Sequence, residues 1–135
     1  MASNRIWRYK GEKIVILDSN ALMMLFEFSI NLEDELTRLI GKYDIVIPKP
    51  VLNELIYLSE NGKGNKKNLA KSSLKIAKKF KTIDADGKNV DDAVLLLSKK
   101  INGVVVTNDK ELRTKLKKNS CPVVFLRAKK TLEIE

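Results

Sequence analysis

Four acidic residues stand where a strand ends or a helix begins: Asp18 in VILDSNALM, Glu54 in PKPVLNELI, Asp92 in NVDDAVLLLS and Asp109 in VVVTNDKEL. Carboxylates serve general acid–base work and metal binding, and this chain offers few alternatives, with no histidine and one cysteine, Cys121. Ser-His-Asp and Cys-His nucleophilic pairs, imidazole-ligated metals and an internal disulfide framework are thereby excluded. Acids that converge repel, at a cost of about 4 kcal/mol for each pair ~4 Å apart in a medium of effective dielectric ~20. A hard divalent cation held by oxygen, Mg²⁺ or Mn²⁺, is the natural compensation.

The elements that must position these acids alternate along the chain. Ile14, Val15, Ile16 and Leu17 form an unbroken apolar run, as in a strand buried on both faces. Asp18, Ser19 and Asn20 stop it, each competent to cap a helix over residues 21–28. A second helix is expected over residues 32–40, ended by Gly41. A strand over residues 43–47 runs into Pro48 and Pro50, which open a helix with Val51, Leu52, Leu55, Ile56 and Leu58 on its apolar face and Glu54 interrupting it. The stretch NGKGNKKN, residues 61–68, reads as a loop, and Leu69, Ser73, Ile76, Ala77 and Phe80 mark the buried face of the next helix. A short strand over residues 81–85, a helix from Asp91 and Asp92 to Ile101, a Val104–Val106 strand, a basic helix over residues 110–118 and a strand over residues 123–126 complete the pattern. Residues 131–134 add a short edge. This alternation predicts a three-layer α/β/α fold around a central, mostly parallel sheet of four or five strands. In such sheets ligands bind outside the carboxyl ends of the strands, where Asp18, Asp92 and Asp109 fall.

Singly, each acid has an ordinary explanation. Asp18 suits a helix cap. Asn108 with Glu111 three residues on resembles a capping box, which makes Asp109 a first-turn acid favoured by the helix dipole, and Asp91 and Asp92 have the same role open to them. Glu54 suits a solvent-facing helix position. Their joint placement carries the inference. Other acid-based schemes fit less well: an Asp-x-Asp phosphatase needs a carboxylate where Asn20 stands, and no glycine-rich phosphate loop is present.

The 135 residues, 44% hydrophobic, suit one domain: a core over residues 13–127, a basic N-terminal extension at 1–12 and a tail or edge strand at 128–135. The 26 Lys and Arg outnumber the 17 Asp and Glu, for a net charge of +9 that favours a polyanionic partner such as nucleic acid or an acidic membrane surface, or serves solubility or heat tolerance. Were that partner a nucleic acid, Lys63, Lys66, Lys67, Lys71, Lys75 and Lys78, with Lys115, Lys117 and Lys118, would be the candidates for holding its phosphates; a solvated helix face is the alternative for each. The basic start lacks a following apolar stretch, so no secretory signal is expected. No segment is long and apolar enough for a membrane span, and a cytoplasmic protein is expected.

Together, the Asp after the first strand in VILDSNALM, the helix Glu in VLNEL, the Asp before Ala in DDAVLLL and the valine-rich strand followed by TNDKEL resemble the PIN-domain family. This nuclease fold is shared by toxin endoribonucleases, ribosomal-RNA processing nucleases and flap nucleases, and the resemblance spans residues 13–126. It implies metal-dependent hydrolysis of RNA with one or two Mg²⁺ or Mn²⁺ ions at Asp18, Glu54, Asp92 and Asp109, with Asp91 as the neighbour of Asp92 and Asn20, Thr107 and Asn108 orienting ligands or waters. The double Asp, the TNDKEL string and FLRAKK look more like the small-subunit ribosomal-RNA processing branch of archaea and eukaryotes than like antitoxin-controlled toxins. Both branches share the acids, so a pre-ribosome and an antitoxin both stand as implied partners. A non-catalytic RNA-binding module of the same fold is the alternative from another class. Dimerisation is common in the family, and Met23, Met24, Phe26 and Phe28 suit either a homodimer interface or the core.

Overall fold

The computed structural model describes residues 13–135, and the basic extension at 1–12 lies outside them. The order is β1 (Lys13–Leu17), α1 (Ser19–Glu27), α2 (Leu32–Ile40), β2 (Tyr43–Pro48), α3 (Lys49–Asn61), α4 (Asn65–Ala77), β3 (Lys81–Ile83), α5 (Val90–Ile101), β4 (Val104–Val106), α6 (Lys110–Lys118), β5 (Val123–Arg127) and β6 (Thr131–Ile134). The strands form one sheet in the order β3-β2-β1-β4-β5-β6. Every pairing is parallel except that of β6 with β5. The sheet thus has six strands rather than the expected four or five, because both short edges, β3 and β6, pair.

Ile14, Val15, Ile16 and Leu17 are all buried, as are Val104, Val105 and Val106, which requires cover on both faces of the sheet centre. The chain winds from β1 outward to β2 and β3, then returns to lay β4 on the other side of β1. The winding therefore reverses between β1 and β4, and a crevice opens beyond their carboxyl ends.

Two local features shape the rest. The predicted loop over residues 61–68 contracts to residues 62–64, with α4 already helical from Asn65. Ala70, Ser73 and Ala77 are buried where α4 packs on α3 and α1, and that packing overrides the weak helix propensity of the GNKKN stretch. At the far edge, Glu35 and Arg38 of α2 clamp β6: Leu132 N–H donates to Glu35 Oε1 at 2.8 Å, and Arg38 Nη2 donates to the Leu132 carbonyl at 2.7 Å. Arg38 and Glu35 also pair with each other at 3.0 Å.

The four residues open to either core or interface divide. Met24 is core, Met23 is half-buried, Phe28 is half-buried beneath the Lys129 ammonium, and Phe26 is exposed beside an apolar cleft of about 320 Å³ between α1 and Ile76 of α4. Among the described residues no helix is long and apolar enough to cross a membrane.

Candidate functional site

Leu17 of β1 pairs with Val106 of β4, so the residues that follow, Asp18 and Thr107, stand side by side where the winding reverses. Thr107 is fully buried, and its Oγ1 donates to Asp18 Oδ2 at 2.7 Å while accepting from Asp109 N–H at 3.1 Å. Asp18 Oδ1 accepts from Ala21 N–H at 2.7 Å and so caps α1. Asp109 Oδ1 accepts from Leu112 N–H at 3.1 Å and caps α6. The expected capping by Asn108 is therefore corrected. Asn108 instead brackets Leu126 of β5, its Oδ1 accepting from the Leu126 N–H at 2.6 Å and its Nδ2 donating to the Leu126 carbonyl at 3.2 Å. Its own N–H donates to Asn20 Oδ1 at 3.0 Å. Asn20, Thr107 and Asn108 thus lock together the carboxyl ends of β1, β4 and β5.

A cavity of about 190 Å³ opens over this lock, lined by Asp18, Ser19, Asn20, Met23, Glu54, Leu58, Lys66, Val90, Asp91 and Asp109. Glu54 reaches it from the second turn of α3, and Ser19 Oγ donates to Glu54 Oε1. Ser19 is a member that spacing alone does not mark for the site; its one signal in the sequence is a hydroxyl directly after a strand-end acid.

The expected inner acid of the double Asp, Asp92, is not at the cavity; Asp91 is. Asn89 caps α5 through its Oδ1, which accepts from Asp92 N–H at 2.8 Å, and Asp92 Oδ2 turns back to accept from Lys88 N–H at 3.0 Å. Asp92 is thereby engaged in closing the helix start, in the manner of a capping box. One residue earlier is about 100° around the helix, which turns Asp91 into the crevice.

The electrostatics of the cavity are strained in one direction. Burial pushes the Asp18 carboxyl from its ordinary 3.8 up to about 7, Asp109 and Asp91 adding repulsion against the lowering effect of the Thr107 and Ala21 hydrogen bonds. Asp91 is also raised, first by burial and then by Asp109, with Lys115 the principal opposing charge. Among the described residues no three acids already stand close enough together to form a ready-made ion site. Each of Asp18, Glu54 and Asp109 is instead drawn to a local donor. The donor set nevertheless fits a hard divalent ion: all four lining acids offer oxygen, and the raised carboxyls are those a cation would return to the charged form.

The lysines distribute unevenly. Lys66 lines the cavity and is exposed, as are Lys63, Lys71, Lys75 and Lys78, and Lys67 is half-buried. Lys115 and Lys118 flank a shallow cleft on α6 with Lys110, whereas Lys117 lies 3.7 Å from Glu135, which also pairs with Arg113.

A doubly wound α/β sheet with an acidic crevice at its point of reversal is the class these observations define. Within that class the sequence matches the family described as PIN like domain over residues 15–129, and the chain belongs to this family. It is similar to Ribonuclease VapC4 of Methanocaldococcus jannaschii, 37% identical over 124 residues that cover 89% of this chain and 95% of that protein. It is also similar to Ribonuclease VapC9 of Archaeoglobus fulgidus, 27% identical over 123 residues that cover 91% and 90%. Among solved structures, the PIN domain endonuclease Utp24 aligns with a TM-score of 0.75 at 23% identity, covering 90% of each chain. A domain of a functionally unknown protein from Methanocaldococcus jannaschii aligns with a TM-score of 0.62 at 19% identity, covering 86% and 92%. These structural likenesses speak for the fold.

Proposed function

We propose that this chain is a Mg²⁺- or Mn²⁺-dependent endoribonuclease that hydrolyses phosphodiester bonds at the cavity of Asp18, Glu54, Asp91 and Asp109. The observation that carries this reading is the gathering of four carboxylates over one small crevice in a chain of net charge +9. The ribonuclease names of the sequence relatives support the substrate class. Bound there, one or two divalent ions supply charge for the phosphoryl oxygens and activation of the attacking water. Asp18, rigidly held by Thr107 and Ala21, fixes the floor of the site, and Asp91, Glu54 and Asp109 face it from three other helices. The oxygen of water joins phosphorus as the bond to the leaving ribose oxygen breaks, and that oxygen ends protonated. The lysines of α4 and α6 track the phosphate chain, so binding weakens steeply with salt.

Labelled structured and single-stranded RNAs incubated with Mn²⁺, Mg²⁺ or EDTA, beside Asp18→Asn, test this. Cleavage confined to the wild type with a divalent ion is expected. Cleavage that survives both EDTA and the substitution contradicts it, and tight, salt-sensitive binding without cleavage identifies a non-catalytic module.

Likeness in sequence to the two VapC ribonucleases favours a toxin-type role, with a separately encoded antitoxin as partner, over ribosomal-RNA processing within a pre-ribosome. The support for processing is the double Asp with the TNDKEL and FLRAKK strings. Growth arrest on expression of the wild type, relieved in Asp18→Asn, is the outcome expected of the toxin-type role.

A further inference from the structure

Lys66 differs from the other lysines. Among the described residues it is the single cation lining the acidic cavity. Its position is set by a turn that only glycine permits. A Cβ on Gly62 would lie 2.5 Å from the Leu58 carbonyl oxygen and 3.2 Å from the Lys67 backbone, and Gly64 has φ +60°. These two glycines fold the first turn of α4 back over the part of α3 that presents Glu54 and Leu58, four residues apart and so on one face. Lys66 thus lines the same cavity as four carboxylates as an exposed residue, and among the described residues none of them pairs with it.

The charges of the proposed reaction show what such a lysine is for. Two divalent ions balance four carboxylates and leave nothing for the phosphodiester, whose non-bridging oxygens gain further negative charge as water attacks. With one ion the deficit is larger. We propose that Lys66 is a catalytic residue of this cavity, its ammonium contacting a non-bridging oxygen of the scissile phosphate and offsetting the charge that develops there. This rests on the nuclease reading above and assigns within it a role distinct from the phosphate tracking by the outer lysines.

The role predicts two effects of opposite sign. Lys66→Ala removes a positive charge beside the ion site, so its Mn²⁺ dissociation constant by calorimetry falls about two- to fivefold. Its kcat on saturating RNA falls about 10- to 100-fold. Lys66→Arg keeps the charge and recovers both values to within about threefold of wild type. Lys75→Ala, on the exposed face of α4, raises KM alone. Circular dichroism verifies that each variant is folded. A Lys66→Ala protein that binds Mn²⁺ as the wild type does, or that changes only in KM, overturns the proposal while leaving the nuclease reading intact. A wild type that binds Mn²⁺ but cleaves no RNA overturns both.

Discussion

Glu35 at the α2–β6 clamp and Asp18 at the crevice are both carboxylates that accept two hydrogen bonds, yet they are driven in opposite directions. Glu35 has its counter-charge built in: hydrogen bonds from Arg38 and the Leu132 N–H hold its carboxyl below the usual glutamate range. Asp18 is more deeply buried, receives only neutral donors and faces Asp91 and Asp109, so it is pushed up to about 7. One acid completes a structure with a cation bonded to it; the other has no cation among its hydrogen-bond donors. A structural carboxylate is expected to arrive with its cation, and a functional one to be prepared for a cation from outside.

Breaking the crevice has the largest expected effect. Asp18→Asn is expected to lower RNA cleavage in Mn²⁺ by about 10³-fold or more, measured as single-turnover rates, since the ion and the developing charge lose their most buried anchor.

The same substitution is expected to stabilise the ion-free protein. Between pH 3.8 and about 7 the folded chain keeps a proton on Asp18 that the unfolded chain has released. Stability therefore falls as pH rises through that window, by up to about 4 kcal/mol from this group. Denaturant melts of the ion-free wild type from pH 4 to 8 should show the decline, and Asp18→Asn should flatten it. Mn²⁺ should stabilise the wild type more at pH 8 than at pH 5, because it binds the ionised form.

Glu35 is expected to act with the opposite sign. Its folded value lies below the ordinary 4.5, so its contribution is present above 4.5 and is lost as pH falls through the lowered folded value. Glu35→Ala should cost about 1 kcal/mol at pH 7 by equilibrium unfolding and leave cleavage unchanged, since it frees the edge strand and touches nothing in the crevice.

Much of this contrast is legible in the sequence, unevenly. β1 and β4 announce themselves because a strand buried on both faces is rich in Ile, Val and Leu, and Asp18 and Asp109 are found by standing just beyond them. Glu54 is different: a glutamate in a helix advertises nothing, and only likeness to a family singled it out before the fold placed it at the cavity. Asp91 and Asp92 were beyond periodicity altogether, because which one turns inward depends on Asn89 and Lys88 drawing Asp92 into the helix start. The stretch NGKGNKKN misled for a related reason: its local preference is for a loop, while α4 gains its first turns by packing on α3 and α1. Arg38 and Glu35 read as ordinary helix-surface charges until Leu132 of β6 is seen to hydrogen-bond to both.

The smallest effect is expected in the hairpin that carries Leu132 to the clamp. Ala128 and Lys129 sit at its turn with φ of +55° and +58°, a conformation that favours glycine and asparagine. Ala128→Asn with Lys129→Gly should raise stability by about 0.5–1 kcal/mol, seen as a higher melting temperature with unaltered cleavage.

The most direct measurement is calorimetric titration of Mn²⁺ into the wild type, Asp91→Asn and Asp92→Asn at pH 7.5. These two substitutions are adjacent and chemically identical, and only the crevice tells them apart. Asp91→Asn is expected to weaken Mn²⁺ binding by about tenfold or more, with Asp92→Asn within about twofold of wild type. The reverse order, or equal affinity in all three proteins, would contradict the assignment of the crevice as the site that holds the ion.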